Sequence, residues 1–107
     1  MMSYRFMRVM VFFDLPTHTA EDRRNYRKFR KTLIKNGFLM VQESVYCRMA
    51  LNATAERAVV AMLRRHRPAK GCVAVLTVTE KQFSKIEYIT GHRSSDVIDS
   101  DERLVVL

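Results

Sequence analysis

The segment Val9–Pro16 (VMVFFDLP) restricts the fold of this chain more than any other stretch. A run this rich in Val and Phe is typical of a β-strand that is buried on both faces. Pro16 cannot donate a backbone hydrogen bond to a sheet, so the strand is expected to end at or just before it. Asp14 therefore lies at the mouth of the strand. There it serves either as a ligand for a divalent cation or as the first residue of an Asx-type turn into Pro16.

Composition and cysteine content predict a soluble, reduced protein. With 107 residues, 48% of them hydrophobic and 28% charged, the chain is large enough to bury one core without disulfides. No apolar run is long enough to span a membrane, and the N-terminus lacks the residue order of a secretory signal. Cys47 and Cys72 each lie in an apolar β-like run, which predicts buried thiols and a cytoplasmic protein. The three histidines share no metal-ligand spacing with them, so no zinc site is expected.

The charge of the chain indicates an anionic partner. The formal net charge is +8 and the pI is near 10.0, values that favour binding to a phosphate polymer or to an anionic membrane surface. Residues 19–36 carry seven Lys or Arg against two acidic residues, and residues 53–67 carry four against one. Residues 94–107 carry the reverse, four acidic residues against one Arg. The positive charge is therefore concentrated in two segments, and both are helical by pattern.

The first of these segments has the start, the stop and the two faces of an amphipathic helix. Thr19 is suited to cap its N-terminus, with Asp22 three residues on, and Gly37 supplies a left-handed stop after Asn36. At about 100° per residue, the apolar side chains fall on one side and the cationic ones on the other. The apolar side holds Tyr26, Phe29 and Leu33, and the cationic side holds Arg24, Lys28, Lys31 and Lys35.

A helix face with charges of one sign is unusual for a merely solvated surface, which mixes acidic and basic residues. We therefore expect this helix to bind phosphate groups without reading sequence and in a salt-dependent way. The pattern exposes no aromatic residues on which bases would stack, which favours duplex DNA over single strands. The candidate nucleic-acid contacts are Arg23, Arg24, Arg27, Lys28, Lys31 and Lys35.

The remaining pattern completes a β-α-β-β-α-β order that begins with a strand over residues 5–14. After the first helix come a hairpin over Phe38–Leu51 interrupted at residues 42–44, a helix opened by Asn52 or Thr54, a strand over Cys72–Thr79, a helical turn over Glu80–Lys85, a short strand over Ile86–Ile89, an acidic loop over Gly91–Asp101 and a terminal strand over Arg103–Leu107. This order predicts a single α+β domain over residues 1–107, a ferredoxin-like sandwich with extra C-terminal strands.

Two strands of this sandwich predict a second copy of the chain. The first strand and Cys72–Thr79 lack polar alternation, so both are expected to be central strands covered on both faces. Two helices cover one face of the sheet in this fold. The other face needs a second cover, and we expect a homodimer whose sheets face each other across a two-fold axis. Residues 92–107, the acidic loop and C-terminal strand, are expected at the dimer or partner interface, or else form a solubilising tail.

Several segments match a known family in order along nearly the whole chain. They are Phe12–Pro16 (FFDLP), Gly37-Phe38 at the helix exit, Gln42–Tyr46 (QESVY), Tyr26–Lys31 (YRKFRK) and Val75–Phe83 (VLTVTEKQF). Together they resemble the CRISPR-associated Cas-two family, and the last two look like its type II-A version.

The resemblance implies a small dimeric protein of CRISPR adaptation, which bridges two dimers of the Cas-one integrase while duplex DNA is inserted into the array. It also implies facing sheets and a C-terminal strand exchanged across the dimer. Many members of the family are described as Mg²⁺-dependent endonucleases for RNA or DNA, in which the strand-end aspartate, here Asp14, is the catalytic residue and the metal ligand. Glu43 and Ser44, beside the neighbouring strand, are candidates to support Asp14, or they merely satisfy a bulge.

Two other functions compete with this one. A free-standing metal-dependent ribonuclease of toxin type would use Asp14 without an integrase partner. The two copies of Asp14 in a dimer supply few ligands for a two-metal site, and no His or Glu lies close by in sequence as a general base. An RNA-recognition module on the same fold requires aromatic residues on a central strand, and Cys72–Thr79 has none.

Overall fold

The fold is a four-stranded antiparallel sheet with two helices packed on one face. The computed structural model of the chain describes residues 6–92. Its elements are β1 (Met7–Asp14), α1 (Ala20–Lys35), β2 (Leu39–Gln42), β3 (Val45–Ala50), α2 (Ala53–Arg65), β4 (Cys72–Thr79) and α3 (Glu80–Ser84). The strand order is β2-β3-β1-β4, and the α+β ferredoxin-like class is confirmed. The predicted C-terminal strand and all of the predicted segment 92–107 except His92 lie outside the described residues.

Helix α1 begins and ends where its capping residues predict. Thr19 Oγ1 accepts a hydrogen bond from Asp22 N at 2.9 Å, and Thr19 N donates to Asp22 Oδ2 at 3.2 Å. At the other end Gly37 has a φ of +89°, the left-handed conformation that stops the helix. Phe29 and Leu33 are buried, so α1 packs through its predicted apolar side. Among residues 6–92, no helix is both long and apolar enough to cross a membrane.

Strand β1 contributes side chains to both faces of the sheet, as its sequence predicts. Val9, Val11 and Phe13 are buried in the main core with residues of α1 and α2. The Phe13 ring packs edge-on against the Phe29 ring, with centroids 5.3 Å apart. The opposite face holds a smaller second core, formed by Met10, Val41, Cys47 and Phe83.

The face of the sheet away from α1 and α2, here called the open face, is covered only in part by residues 6–92. Helix α3 covers one region of it through Phe83, which is 2% exposed. Elsewhere on this face Phe12 is 37% exposed and Leu76 is 53% exposed. Because alternate residues of a strand share a face, Asp14 lies on the open face together with Phe12.

Strand β4 differs from the prediction. Within residues 6–92 it is an edge strand that pairs with β1 alone, and most of its side chains are exposed. Cys72 is exposed as well, so the expectation of a buried thiol is wrong for this cysteine. The apolar run shows that the chain is extended, but strand pairing joins distant residues and leaves no local mark of a central position. The strand predicted over Ile86–Ile89 is also wrong, because these residues are irregular after α3.

Candidate nucleic-acid interface and strand-end carboxylate

The side of α1 that faces away from the sheet is almost wholly cationic. Its long basic side chains are all exposed, because they lie opposite the buried Phe29 and Leu33. Together with Thr32 they line a shallow groove of about 450 Å³. We call this surface the basic face, and its residues are Arg24, Arg27, Lys28, Lys31 and Lys35.

No residue of the basic face forms an ion pair with another residue of the described chain. The ion pairs found within residues 6–92 are Arg8–Glu80 and Lys70–Asp22. The positive charge of the basic face therefore acts on the solvent and on anions in it. Arg23, the sixth predicted contact, is also exposed but does not line the groove of the basic face, and its Nη1 donates to the carbonyl oxygens of Thr17 at 3.1 Å and His18 at 3.2 Å. Its contact with a nucleic acid stays a prediction.

Asp14 ends β1 with its side chain exposed. In the β1–β4 ladder it lies opposite Cys72, the first residue of β4. Its carboxylate accepts no hydrogen bond from any residue in the range 6–92, so the alternative of an Asx-type turn is not realised there. The structure thus places a solvent-facing carboxylate at the end of a buried strand.

Gly71, the loop residue directly before β4, packs against the backbone of Asp14. It has a φ of +86°, and a Cβ built on it would lie 2.5 Å from the carbonyl oxygen of Asp14 and 2.8 Å from Leu15 Cδ2. Only glycine permits so close an approach in this conformation. In the sequence, Gly71 is simply a glycine in the segment after α2. No local pattern around it predicts the contact with Asp14.

Glu43 and Ser44 form the two-residue turn between β2 and β3, close to the end of β1. The backbone N–H of Phe13 donates to the Ser44 carbonyl at 3.1 Å, and Ser44 has a φ of +68°. The Ser44 Oγ lies 3.4 Å from the Tyr26 Oη, which is on the side of the sheet that carries α1. The Asp14 carboxylate lies on the open face. The turn therefore lies close to the end of β1, but its Ser44 side chain is on the face of the sheet opposite the carboxylate. A supporting role for these two residues stays a prediction.

The residues at the end of β1 fit a magnesium ion only as part of a shared site. The described residues contain no group of three or more His, Cys, Asp or Glu side chains that would hold a metal. Mg²⁺ needs fewer protein ligands, since one or two carboxylates suffice when waters and phosphate oxygens complete its octahedron. The exposed Asp14 carboxylate meets this requirement once per chain, and a second copy would supply a second carboxylate.

A buried ion pair beneath α3 was not expected from the sequence. Arg8 is 3% exposed, and its guanidinium donates to both carboxylate oxygens of Glu80 and to the Cys47 Sγ. Its Cζ lies 4.5 Å from the centroid of the Phe83 ring. Burial lowers the pKa of Arg8, but the hydrogen bonds to Glu80 and Cys47 and the charges of these two groups together outweigh it and raise the pKa above its ordinary value. A charged residue inside an apolar strand is the signal that would have predicted a buried partner.

Asp22 joins the start of α1 to the loop that precedes β4. Besides its capping bonds, its Oδ1 pairs with the Lys70 Nζ at 3.4 Å. Burial raises the pKa of Asp22, but the hydrogen bond from the Thr19 backbone and the Lys70 ammonium outweigh it and lower the pKa below its ordinary value. The carboxylate is therefore held charged between two elements.

Comparison with known proteins gives one consistent family. The family model for CRISPR associated protein Cas2 matches residues 7–86. A protein of Treponema denticola named CRISPR-associated endoribonuclease Cas2 is 52% identical over 101 residues, covering 94% of this chain and 100% of the relative. Proteins of the same name from Streptococcus mutans and Ligilactobacillus salivarius are 50% and 42% identical. Each match covers 94% of this chain, with 93% and 100% of the relatives' own lengths. The matched span of the family model includes every element from β1 to α3.

Proposed function

The chain belongs to the CRISPR-associated Cas2 family, and we propose that it works in CRISPR adaptation as a homodimer that binds duplex DNA and bridges two dimers of the Cas-one integrase. The proposal assigns the protein to the cytoplasm, where the array lies. The observation that carries it is the basic face of α1, whose charges have no acidic partner among residues 6–92.

The basic face suits a nucleic acid of any sequence. Contacts from Lys and Arg to phosphates release counterions and carry no sequence information. Helix α1 has 16 residues and is about 24 Å long, and its basic face from Arg24 to Lys35 extends over about 17 Å, or about half of one duplex turn. An adaptation protein handles foreign DNA of arbitrary sequence, which is the kind of substrate that such a surface accepts.

The partly covered open face supports the homodimer. Phe12 and Leu76 expose large apolar side chains there, and burying an exposed apolar side chain stabilises an interface by about 1.5–3 kcal/mol when its burial is complete. A dimer that pairs the two open faces would also bring the two copies of Asp14 to one interface. Leu76→Glu is expected to convert the dimer into a monomer in light scattering, and a wild-type chain that is monomeric at micromolar concentration contradicts the dimer.

Charge reversal of the basic face tests the DNA-binding part of the proposal. Arg24→Glu, Lys28→Glu and Lys31→Glu together are expected to weaken binding of a 30-base-pair duplex at least a hundredfold near 0.1 M salt, measured by fluorescence anisotropy. The matched control reverses three exposed cations elsewhere, Arg57, Lys81 and Lys85, and changes the net charge by the same amount. Equal binding by the two triple variants would contradict the assignment of the basic face. Co-purification with the integrase on a short duplex tests the bridging role.

A second function, Mg²⁺-dependent cleavage of RNA, is favoured by the endoribonuclease name that the relatives carry and by the position of Asp14. A magnesium ion bound there would supply charge neutralisation at the phosphate and a more acidic water. The chain's own contribution is placement. The β1–β4 ladder and Gly71 hold the Asp14 backbone, and the carboxylate stays free of competing hydrogen bonds from residues 6–92.

Asp14→Asn separates the two functions, because it removes the charge and keeps the shape. Cleavage of a labelled RNA in Mg²⁺ is expected to fall to the level of the buffer, while duplex binding and dimer mass are unchanged. Cleavage that persists in this variant excludes Asp14 as the catalytic residue. Loss of dimer and cleavage together would instead assign Asp14 a structural role.

A further inference from the structure

A second basic groove lies beside the basic face. It runs between α1 and the loop that joins α2 to β4, has a volume of about 320 Å³, and is lined among others by Arg65 and Arg67. Lys28 and Thr32 line both this groove and the groove of the basic face. The two grooves are therefore continuous, and together they form a wider cationic surface than α1 alone.

The charged side chains that line the second groove are all positive, as they are in the groove of the basic face. Arg65 and Arg67 are exposed, and no carboxylate of the described chain lines either groove. The acidic residue of α2, Glu56, instead accepts a hydrogen bond from the Thr77 Oγ1 of β4 at 2.9 Å. Arg67 Nη1 donates to the Arg64 carbonyl at 3.0 Å, which holds the guanidinium near the end of α2 and leaves its further N–H donors for an anion.

The loop that follows Arg65 and carries Arg67 is held in place at its far end. Lys70 pairs with Asp22 at the start of α1, and Gly71 packs against the Asp14 carbonyl. The groove is therefore built before any ligand arrives. A preformed cationic surface binds phosphates with less ordering cost than a mobile one.

We propose that the C-terminal end of α2 and the α2–β4 loop are a second contact region for the duplex backbone, so that bound DNA crosses from the basic face over Lys28 to Arg65 and Arg67 instead of following α1 alone. This inference rests on the proposed DNA-binding function. The partner is a duplex and not a single strand, because Phe29 in the second groove is buried and the exposed His66 offers a single ring, whereas proteins that bind single strands stack successive bases on several aromatic side chains.

The test measures how duplex affinity changes with salt. Each phosphate contact adds about 0.9 to the slope of log affinity against log salt concentration, so Arg65→Glu with Arg67→Glu is expected to lower the slope by about 2. Affinity near 0.1 M salt is expected to fall at least tenfold. The matched control is Arg57→Glu with Lys85→Glu, an equal charge change on residues outside both grooves, and its slope is expected to equal that of the wild type.

The outcomes separate this inference from the function on which it rests. An unchanged slope in the loop variant, with strong loss in the basic-face triple variant, overturns the second contact region and leaves DNA binding intact. Wild-type binding by the triple variant overturns DNA binding by the basic face itself. Should the charge reversals impair folding, Arg65→Gln with Arg67→Gln is expected to lower the slope by the same amount, and failure to do so also overturns the inference.

Discussion

Replacing Gly71 by alanine is expected to destabilise the protein more than the same change at Gly37. The two glycines have nearly the same conformation, with φ of +86° and +89°, so the cost of a left-handed alanine, about 1–2 kcal/mol, is common to both. They differ in the space around the new Cβ. At Gly37 the nearest atoms belong to the flexible side chain of Arg48, 3.6 Å away, whereas at Gly71 the Asp14 carbonyl oxygen would be 2.5 Å away.

The larger loss of stability expected for Gly71→Ala follows from the backbone movement that the new Cβ requires. To reach an ordinary contact distance of 3.4 Å, the Asp14 carbonyl has to retreat by about 0.9 Å. This retreat pulls Asp14 from Cys72, the last pair of the β1–β4 ladder. Overpacking of this kind costs roughly 1–3 kcal/mol. We therefore expect Gly71→Ala to lower the free energy of unfolding by about 2–5 kcal/mol in total.

Urea unfolding at one fixed protein concentration measures this difference, since dimerisation would make the apparent stability depend on concentration. In thermal melts each kcal/mol corresponds to about 4–8 °C for a domain of this size. Gly91 gives a second control, because its φ is +85° and a Cβ there meets nothing within 4 Å. Losses at Gly71 and Gly37 that agree within about 0.5 kcal/mol would refute the idea that Gly71 holds the Asp14 backbone.

Three further predictions concern stability. Glu80→Gln is expected to cost about 2 kcal/mol by removing the Glu80 carboxylate from the buried Arg8 guanidinium, and Arg8→Met added to it is expected to restore most of the loss in urea unfolding. An additive double variant contradicts this coupling. The lowered pKa of Asp22 means that its contribution to the free energy of unfolding is complete above its ordinary pKa of 3.8. This contribution is lost as the pH falls through that value towards the folded one. Asp22→Asn is therefore expected to show a shallower acid-side decline, and an unchanged pH profile opposes the assignment. Thr19→Ala is expected to lower the free energy of unfolding by about 1 kcal/mol through loss of the α1 cap. A loss below about 0.3 kcal/mol would show that the cap does not stabilise the protein to this extent.

Local patterns were enough to predict α1 and its basic face. Thr19, Asp22 and Gly37 mark the ends of the helix through interactions that span only a few residues, so they can be recognised in the sequence. Pro16 likewise places Asp14 at the end of β1. In each case the interactions that set the end of the helix or strand join residues within one helical turn or at one strand end.

Contacts between distant residues could not be predicted in this way. Arg8 and Glu80 are 72 positions apart, and the approach of Gly71 to Asp14 depends on which strand enters the sheet beside β1. The position of β4 at the edge of the sheet formed by residues 6–92 has the same origin, since composition shows that a segment is extended but not how many neighbours it has. Cys72 is exposed because it lies opposite Asp14 at the end of the β1–β4 ladder, and that pairing has no local mark in the sequence either.

Because β1 places apolar side chains against the helices on one face and charged side chains on the other, its number of residues is fixed. The side chains of Val9 and Phe13 pack against the helices, while those of Arg8 and Asp14 lie on the opposite face of the sheet. Inserting or deleting a single residue between Arg8 and Phe13 would exchange the faces of all residues on one side of the change. Either the Arg8 charge would then lie under the helices, or the Asp14 charge would, with the Phe13 ring turned outwards. The length of this strand is therefore fixed more strictly than any one of its exposed side chains.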